Sequence, residues 1–266
     1  MKPLTEFPLS ARRAIKGVFC DIDDTLSTEG RITTEAYSAM QHLQQAGLLV
    51  IPVTGRPAGW CDHIARMWPV DGVVGENGAF YFRHDPGARR MRRHFVHDAA
   101  TRSENRARLA QIGHEITAAV PGAAIAADQH YRESDLAIDF CEDVAPLPQS
   151  AIDEIVLRME KHGLTAKVSS IHVNGWFGHY DKLSMTKTLM REVYDLDLDA
   201  VRDAYVFAGD SPNDAPMFGY FPHAVGVANV LEFGKSVDPL PRYVTMKRCG
   251  AGFAEVADCL LTARGT

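Results

Sequence analysis

The sequence contains no long hydrophobic run and no paired cysteines. Its apolar stretches fall short of the roughly 20 residues that a membrane-spanning helix needs, and Met1–Glu6 lack the apolar core of a signal peptide. The five cysteines are scattered and odd in number, without the paired spacing of a zinc site. We therefore expect reduced thiols in a cytoplasmic protein that has no membrane partner.

An excess of positive charge is also missing. The chain has 28 lysines and arginines against 34 acidic residues, a formal net charge of −6, which does not predict binding to nucleic acid. The one basic run, Arg89–Arg93, is typical of a solvated hairpin. With 266 residues, 46% of them hydrophobic and 23% charged, the chain is long enough for one large globular domain or two modest ones.

What the sequence does have is acidic residues placed directly after a short apolar run. Ile15–Cys20 is predicted to form a buried strand, and Asp21 and Asp23 follow it. In open α/β sheets, ligands bind outside the carboxyl ends of the strands. Two carboxylates at such an end can hold one divalent cation, but an acidic turn is an equally ordinary explanation of this stretch by itself.

Two further apolar runs end in polar residues. Val50–Val53 is followed by Thr54, Gly55 and Arg56, and Val206–Ala208 is followed by Gly209–Asp214, which contains Asp210, Asn213 and Asp214. A lysine precedes the third run, and both Lys182, at the start of a predicted helix, and Lys187 are candidates for a site at this sheet edge.

The order of predicted elements indicates an α/β fold. A helix from Thr33 or Thr34 to about Gln45, the strand Leu48–Val53, a helix over about Pro57–Met67 and the strand Gly72–Gly75 alternate as in a doubly wound parallel sheet. From Phe80 the pattern changes to an α+β segment of hairpins and helices, and the doubly wound pattern resumes near Asp181. Residues 1–14 are predicted to be a loose lead-in.

The four motifs, in this order, resemble the haloacid-dehalogenase-like superfamily of aspartate-nucleophile phosphatases. The resemblance covers about two thirds of the chain, and the insert lies where type IIB (Cof-like) members carry a cap domain. It implies a Rossmann-like core of residues 1–80 and 182–266 and an α/β cap of residues 81–181. Tyr131–Asp135 and Ser169–Asn174 are similar to cap segments of the sucrose-phosphate and mannosyl-phosphoglycerate phosphatases.

The resemblance also implies catalytic roles. Asp21 is the expected nucleophile, which forms an aspartyl-phosphate, and the side chain of Asp23 is the expected general acid and base. Thr54 and Gly55 are expected to bind phosphoryl oxygens, and Lys182 to balance the charge of the transferring group.

A metal site follows from the same resemblance. Mg²⁺ is expected on the Asp21 side chain, the Asp23 carbonyl and the Asp210 side chain, with Asp214 either in the metal shell or supporting the loop. Family members usually have glycine after the second Asp, whereas this chain has Asp24.

The expected substrate contacts are Asn77 and Asn213 in the core and Arg132 and His172 in the cap. For Asn77 an ordinary Asn-Gly turn is nearly as good an explanation. Arg132 and His172 are equally well explained as polar members of the cap sheet.

The sequence therefore predicts a Mg²⁺-dependent phosphatase of a phosphorylated sugar or related small metabolite, present as a monomer or weak homodimer. A phosphomutase with the same aspartate chemistry and a non-catalytic relative that binds a phosphometabolite are the alternatives. The intact acids Asp21, Asp23 and Asp210 argue against the non-catalytic alternative.

Overall fold

The computed structural model describes residues 1–265, except for the side chain of Lys235. It is a mixed α/β structure built on a parallel sheet. The strands are β1 (Lys2–Pro3), β2 (Gly17–Cys20), β3 (Ser27–Thr28), β4 (Arg31–Ile32), β5 (Leu49–Pro52), β6 (Val73–Gly75), β7 (Phe80–Asp85), β8 (Arg90–Phe95), β9 (Ala124–Ile125), β10 (Asp135–Asp139), β11 (Thr165–Val168), β12 (His172–Trp176), β13 (Tyr205–Gly209), β14 (Val225–Gly226) and β15 (Tyr243–Val244).

The helices alternate with the strands in the first and last parts of the chain. They are α1 (Leu9–Ala14), α2 (Thr34–Gln45), α3 (Ala58–Met67), α4 (Ala99–Ala119), α5 (Gln149–Lys161), α6 (Lys182–Tyr194), α7 (Leu198–Val201), α8 (Ala215–Tyr220) and α9 (Cys249–Thr262). No helix among residues 1–265 is long and apolar enough to cross a membrane.

The central sheet has the strand order β1-β15-β14-β13-β2-β5, with all pairs parallel. All four residues of β2 are buried, as expected for an apolar strand with helices on both faces of its sheet. Cys20 pairs with Ala208 on one side and with Pro52 on the other. The residues that follow these three strands therefore meet at one edge. The predicted α/β class with a Rossmann-like core and an inserted cap is confirmed.

The predicted loose lead-in at residues 1–14 is wrong. Lys2 pairs in parallel with Tyr243, and Phe7 is buried, with its ring stacked 4.9 Å from the ring of Tyr243. The partner of this edge strand lies about 240 residues away in sequence, so the local pattern could not reveal the pairing.

A second, antiparallel sheet of strand order β11-β12-β10-β9 forms the cap. Because side chains alternate along a strand, Leu136, Ile138 and Val173 lie in an apolar cluster with residues of α4 and α5. The alternate positions Asp135 and Asn174 are hydrogen-bonded to each other at 3.0 Å. The cap thus has one apolar face, covered by its helices, and one polar face.

The hairpin β7–β8 pairs with β6, and Phe80 and Phe82 belong to the apolar cluster of the core. The predicted domain boundary at residue 81 therefore falls inside a strand that packs with the core.

Candidate active site

Three buried carboxylates converge where β2 and β13 end. One oxygen of each of Asp21, Asp210 and Asp214 lies within 4.8 Å of the others. Asp21 directly follows β2 and Asp210 directly follows β13, so the parallel pairing of these strands explains the convergence of these two acids. Asp214 reaches the site from the next turn.

Lys182 is the cation of this cluster. Its Nζ donates to Asp21 Oδ1 at 3.0 Å and to Asp214 Oδ1 at 2.7 Å. Lys182 is the first residue of α6, and Asp181 before it packs closely against the turn at Gly78. A Cβ on Gly78 would lie 2.0 Å from the Asp181 carbonyl oxygen. Glycine at position 78 therefore permits the approach that places the lysine.

Lys187, the alternative lysine, lies at the surface. Its Nζ donates to Asp199 at 2.7 Å and lies 4.5 Å from the centre of the Tyr220 ring. Of the two candidates, only Lys182 reaches the acidic cluster.

Burial and crowding of the carboxyl groups disfavour their charged forms. Burial raises the pKa of Asp21 to about 8, against the opposing effect of Lys182. Burial, together with Asp214 and Asp21, likewise raises the pKa of Asp210 well above its usual range. Three carboxylates face one ammonium group, and their oxygens are the ligand type that a hard divalent cation prefers. The residues present therefore fit a Mg²⁺ ion.

Asp214 also organises the loop after β13. Its Oδ2 accepts from the Asp210 N–H at 3.0 Å, while Oδ1 binds Lys182. A Cβ on Gly209 would lie 2.4 Å from Asp214 Oδ2, so only glycine leaves room for this arrangement. These contacts support the loop-supporting role that was one of the two alternatives for Asp214.

Thr54 and Gly55 follow β5, and each has a hydrogen-bond donor without a protein acceptor among the described residues. The Thr54 hydroxyl oxygen accepts from the Arg56 N–H at 3.0 Å, which leaves its proton for another acceptor. Within the described part of the chain, the Gly55 N–H has no protein acceptor. Both groups are suited to binding an oxyanion.

Asn77 lies beside Gly55 in a turn with a φ of 54°, a conformation that asparagine tolerates better than most residues. Its Nδ2 is buried and has no hydrogen-bond partner among residues 1–265. Its Oδ1 is 3.5 Å from Nδ2 of Asn213, at the limit of a hydrogen bond. A buried amide donor without a partner suggests a ligand group as its acceptor.

Asp24, which stands where family members usually have glycine, has a φ of 54°. This left-handed conformation explains the usual glycine, and aspartate is among the residues that adopt it most readily. The Asp24 carbonyl accepts from Asn229 Nδ2 at 3.0 Å, and the same nitrogen donates to Asp210 at 3.1 Å. Asn229 was not predicted from the sequence.

Arg56 is the main residue that the sequence analysis missed. Its Nε donates to both carboxylate oxygens of Asp23 at 2.9 and 3.0 Å, and its Nη2 donates to Glu142 of the cap at 2.6 Å. It also lies 3.4 Å from Asp128 of the cap. Its position beside Thr54 and Gly55 was the only available signal, because its acidic partners in the cap are 72 and 86 positions away.

Arg132 and His172, the two predicted substrate contacts of the cap, differ in how many protein partners they have. The buried guanidinium of Arg132 binds Asp128 and Asp135, and its Nη1 donates to the Gly55 carbonyl at 2.9 Å, so its nitrogens are already engaged. His172 has one acidic neighbour, with its Nε2 2.9 Å from Glu142 Oε2.

The cap closes the site. The cleft between the cap and the core has a volume of about 10 Å³, close to that of one water molecule. Its lining includes Asp21, Asp23, Gly55, Arg132, His172 and Asn213. The structure therefore brings residues of both predicted groups, core and cap, to one enclosed place.

A Rossmann-like sheet with acids and a lysine at the carboxyl ends of its strands is thus closed by an inserted α+β cap. Residues 18–102 match the model of the haloacid dehalogenase-like hydrolase family. The resemblance drawn from the sequence is confirmed over these residues, which make up about a third of the chain. No curated protein sequence matches it.

Several solved structures share the fold. A protein of Thermoplasma acidophilum has 19% identity and a TM-score of 0.69, with 93% of this chain and 98% of that one covered. The sucrose-phosphatase of Synechocystis sp., solved with sucrose and phosphate, has 15% identity and a TM-score of 0.64, with 92% and 98% covered. A sugar phosphatase of haloacid-dehalogenase subclass IIB has 14% identity and a TM-score of 0.59, with 94% and 98% covered. At these identities the likeness concerns the fold.

Proposed function

We propose that this protein is a Mg²⁺-dependent phosphomonoesterase that acts on a phosphorylated sugar or a related small metabolite. The observation that carries the proposal is the cluster of Asp21, Asp210 and Asp214 around Lys182, which lies under a closed cap. Phosphoryl transfer needs a positioned nucleophile and neutralisation of the phosphoryl oxygens, and this cluster can supply both.

In this mechanism a carboxylate oxygen of Asp21 attacks phosphorus and the ester oxygen leaves, which forms an aspartyl-phosphate. Asp23 gives a proton to the departing oxygen and later takes one from the water that hydrolyses the intermediate. Arg56 binds both oxygens of Asp23 and thereby orients this carboxylate.

The phosphoryl oxygens accept hydrogen bonds from three groups whose donors have no protein acceptor among the described residues. These are the Thr54 hydroxyl, the Gly55 N–H and the Asn77 amide, while Lys182 offsets the charge of Asp21 and of the phosphoryl group. Donors held in place before the reaction stabilise developing charge without reorganisation.

The side chains of Asp21 and Asp210 and the carbonyl of Asp23 would hold the Mg²⁺, and Asp214 would support them. Bound there, the cation supplies charge neutralisation between the nucleophile and the phosphate. Asn229 and Thr25 orient Asp210 through bonds of 3.1 and 3.4 Å.

A sugar phosphate is the substrate class favoured by the polar cap face and by the names of two structural neighbours, a sucrose-phosphatase and a sugar phosphatase. The five free cysteines agree with a cytoplasmic location. The monomeric or weakly dimeric state remains a prediction.

The test is to assay purified protein with Mg²⁺ against a panel of phosphorylated metabolites, with Asp21→Asn as the matched control. The substitution is nearly isosteric but not nucleophilic, so we expect turnover to fall by about 10⁴-fold or more with an unchanged circular dichroism spectrum. Mass spectrometry should verify that the asparagine has not deamidated. Substantial hydrolysis by the intact Asn variant would contradict Asp21 as nucleophile.

A further inference from the structure

A large cavity beside Asp23 has no part in the chemistry described above. Its volume is about 630 Å³, and it lies between the hairpin β3–β4, helix α3 and a residue of the cap. Its lining includes Ile22, Ile32, Ile64, Trp60, Trp68 and Tyr131. Asp23 lines both this cavity and the catalytic cleft, so both spaces adjoin the expected general acid.

Helix α3 supplies the aromatic wall. Trp60, His63 and Ile64 are three and four positions apart and therefore share one face, and Trp68 follows at the end of the helix. Ile64 is buried against the core, whereas Trp60 remains 40% exposed despite its size. Arg56, which binds Asp23, lies 4.4 Å from the centre of the Trp60 ring.

His63 adds a polar group to this apolar wall. It lines the cavity, and the residue is exposed to solvent. Ligand pockets are typically about 300–1,000 Å³, lined by apolar and aromatic side chains with a few polar groups. The cavity has this size and this composition.

A second space adjoins Asp23, but its chemistry is different. Its volume is about 390 Å³, and its lining contains five carboxylates against the one guanidinium of Arg56; the acids are Asp23, Asp24, Glu29, Glu142 and Asp143. This wall disfavours anionic and apolar groups. The catalytic cleft itself has room for about one water. Among these three spaces, the aromatic cavity is the one that suits a neutral organic group next to Asp23.

We propose that the aromatic cavity binds the leaving group of the phosphate ester, and that this group carries a neutral ring with a flat apolar face. The ring stacks against Trp60 and Trp68, and His63 hydrogen-bonds a substituent at its edge. The inference rests on the proposed function, because the leaving oxygen must lie next to Asp23 to receive its proton. A sugar ring and an aromatic ring both offer such a face.

The first experiment measures binding without turnover. Trp60 and Trp68 are two of the three tryptophans, and the third, Trp176, is buried elsewhere. With Mg²⁺ present, we expect the non-hydrolysable phenylphosphonate, or glucose 6-phosphate added to Asp21→Asn protein, to change tryptophan fluorescence saturably. Ethylphosphonate, which has no ring, should not. The double variant Trp60→Phe/Trp68→Phe keeps aromatic rings but should lose the signal. No change with either ring compound, or an equal change in the double variant, would overturn the proposal.

The second experiment fills the cavity. His63→Trp should lower kcat/KM for a ring-bearing ester by about tenfold or more and change that for ethyl phosphate by less than about twofold. Met67→Trp is the matched control, because Met67 lies on the same helix, is 65% exposed and does not line the cavity. Equal effects of His63→Trp on both esters, or none, would contradict the proposal.

The values of kcat/KM for phenyl phosphate and glucose 6-phosphate then show whether the cavity binds an aromatic ring or a sugar ring. The ester with the higher value in the native protein should be the one whose value His63→Trp lowers more. Failure of the proposed function would look different: the native protein would hydrolyse none of the esters, while the fluorescence experiment would still report on the cavity.

Discussion

A single buried ammonium group accounts for much of the chemistry proposed here. Lys182 bonds two of the three clustered carboxylates, and its neighbours Asp21 and Asp214 raise its pKa well above the usual range although burial opposes this. It therefore stays charged in the folded protein and can meet the phosphoryl group as a cation.

The two candidate lysines make a matched pair for mutation. Lys182→Ala should cost about 2–4 kcal/mol of transition-state stabilisation, the cost of removing one aimed donor from a closed site. Lys187→Ala should have little effect, because Lys187 bonds only the exposed Asp199 and packs on Tyr220. Values of kcat/KM, measured well below each variant's melting temperature, test this ranking. The reverse ranking would refute the placement of Lys182.

The cap residues Arg132 and His172 should respond differently to truncation. Arg132→Ala removes the buried cation that Asp128 and Asp135 share and leaves Asp135 without an ion-pair partner, so we expect a loss of about 3–5 kcal/mol in the free energy of unfolding. His172→Ala should cost less than Arg132→Ala, because His172 has a single acidic neighbour, Glu142. It should also lower turnover of the best metabolite more than turnover of ethyl phosphate, because His172 lines the catalytic cleft.

Urea unfolding and the ratio of the two rates measure these effects. A stable Arg132→Ala protein would show that its ion pairs do not hold the cap. A His172→Ala protein with equal losses on both esters would place His172 in the fold rather than in substrate binding.

Among the structural elements, the cap and the core are joined at the loop after β5. Arg56 in this loop binds Asp23 of the core and Glu142 of the cap, and Arg132 of the cap binds the Gly55 carbonyl. Closure of the cap is thereby linked to the position of the expected general acid.

A double-mutant cycle tests this link. Arg56→Ala and Glu142→Ala should be non-additive, with a coupling of about 0.5–3 kcal/mol in the free energy of unfolding, as for residues in direct contact. Arg66→Ala with Glu142→Ala is a control, because Arg66 bonds Asp62 on its own helix. Additive effects of the first pair would show that the contact does not hold the cap closed.

The same contact predicts a pH dependence. Burial acts to raise the pKa of Glu142, but the bonds from His172 and Arg56 outweigh it and lower this pKa to about 2, against about 4.3 in the unfolded chain. Its contribution to stability is therefore complete above about pH 5 and is lost as the pH falls towards 2. The difference in unfolding free energy between native protein and Glu142→Gln should shrink between about pH 5 and pH 3. A constant difference would contradict this ion pair.

For the protein as a whole, the excess of carboxylates predicts a dependence on metal. Chelation should abolish activity and Mg²⁺ should restore it, whereas Ca²⁺ should inhibit, because its looser coordination can engage both oxygens of Asp21 and spoil in-line attack. Mg²⁺ should also raise the melting temperature, since a ligand that binds only the folded state stabilises it.

Asp210→Asn is the matched control for the metal. It removes one charge from the cluster, so it should weaken the Mg²⁺-dependent rise in melting temperature while the protein remains folded. Full activity in the presence of chelator, or an equal rise in the Asn variant, would contradict the metal site.

The local pattern of residues was enough to predict the core and its acids. Apolar runs such as Ile15–Cys20, each ending in a polar turn, predict buried strands, and the resemblance to haloacid-dehalogenase-like phosphatases implied that their ends meet at one site. This is why Asp21, Asp210 and Thr54 could be expected at one place. The turns at Asn77 and Asp24 also depend on local sequence, because both residues adopt a left-handed backbone conformation that few residues other than glycine, asparagine and aspartate tolerate.

Tertiary structure alone decided the contacts between distant segments. The resemblance favoured Lys182 over Lys187, but only the packing of α6 against the turn at Gly78 shows how Lys182 reaches the acids. The partners of Arg56 in the cap and the pairing of β1 with β15 join residues 70 to 240 positions apart. Sequence patterns report periodicity within one element, whereas an ion pair or an aromatic cavity between elements depends on how their faces meet in space.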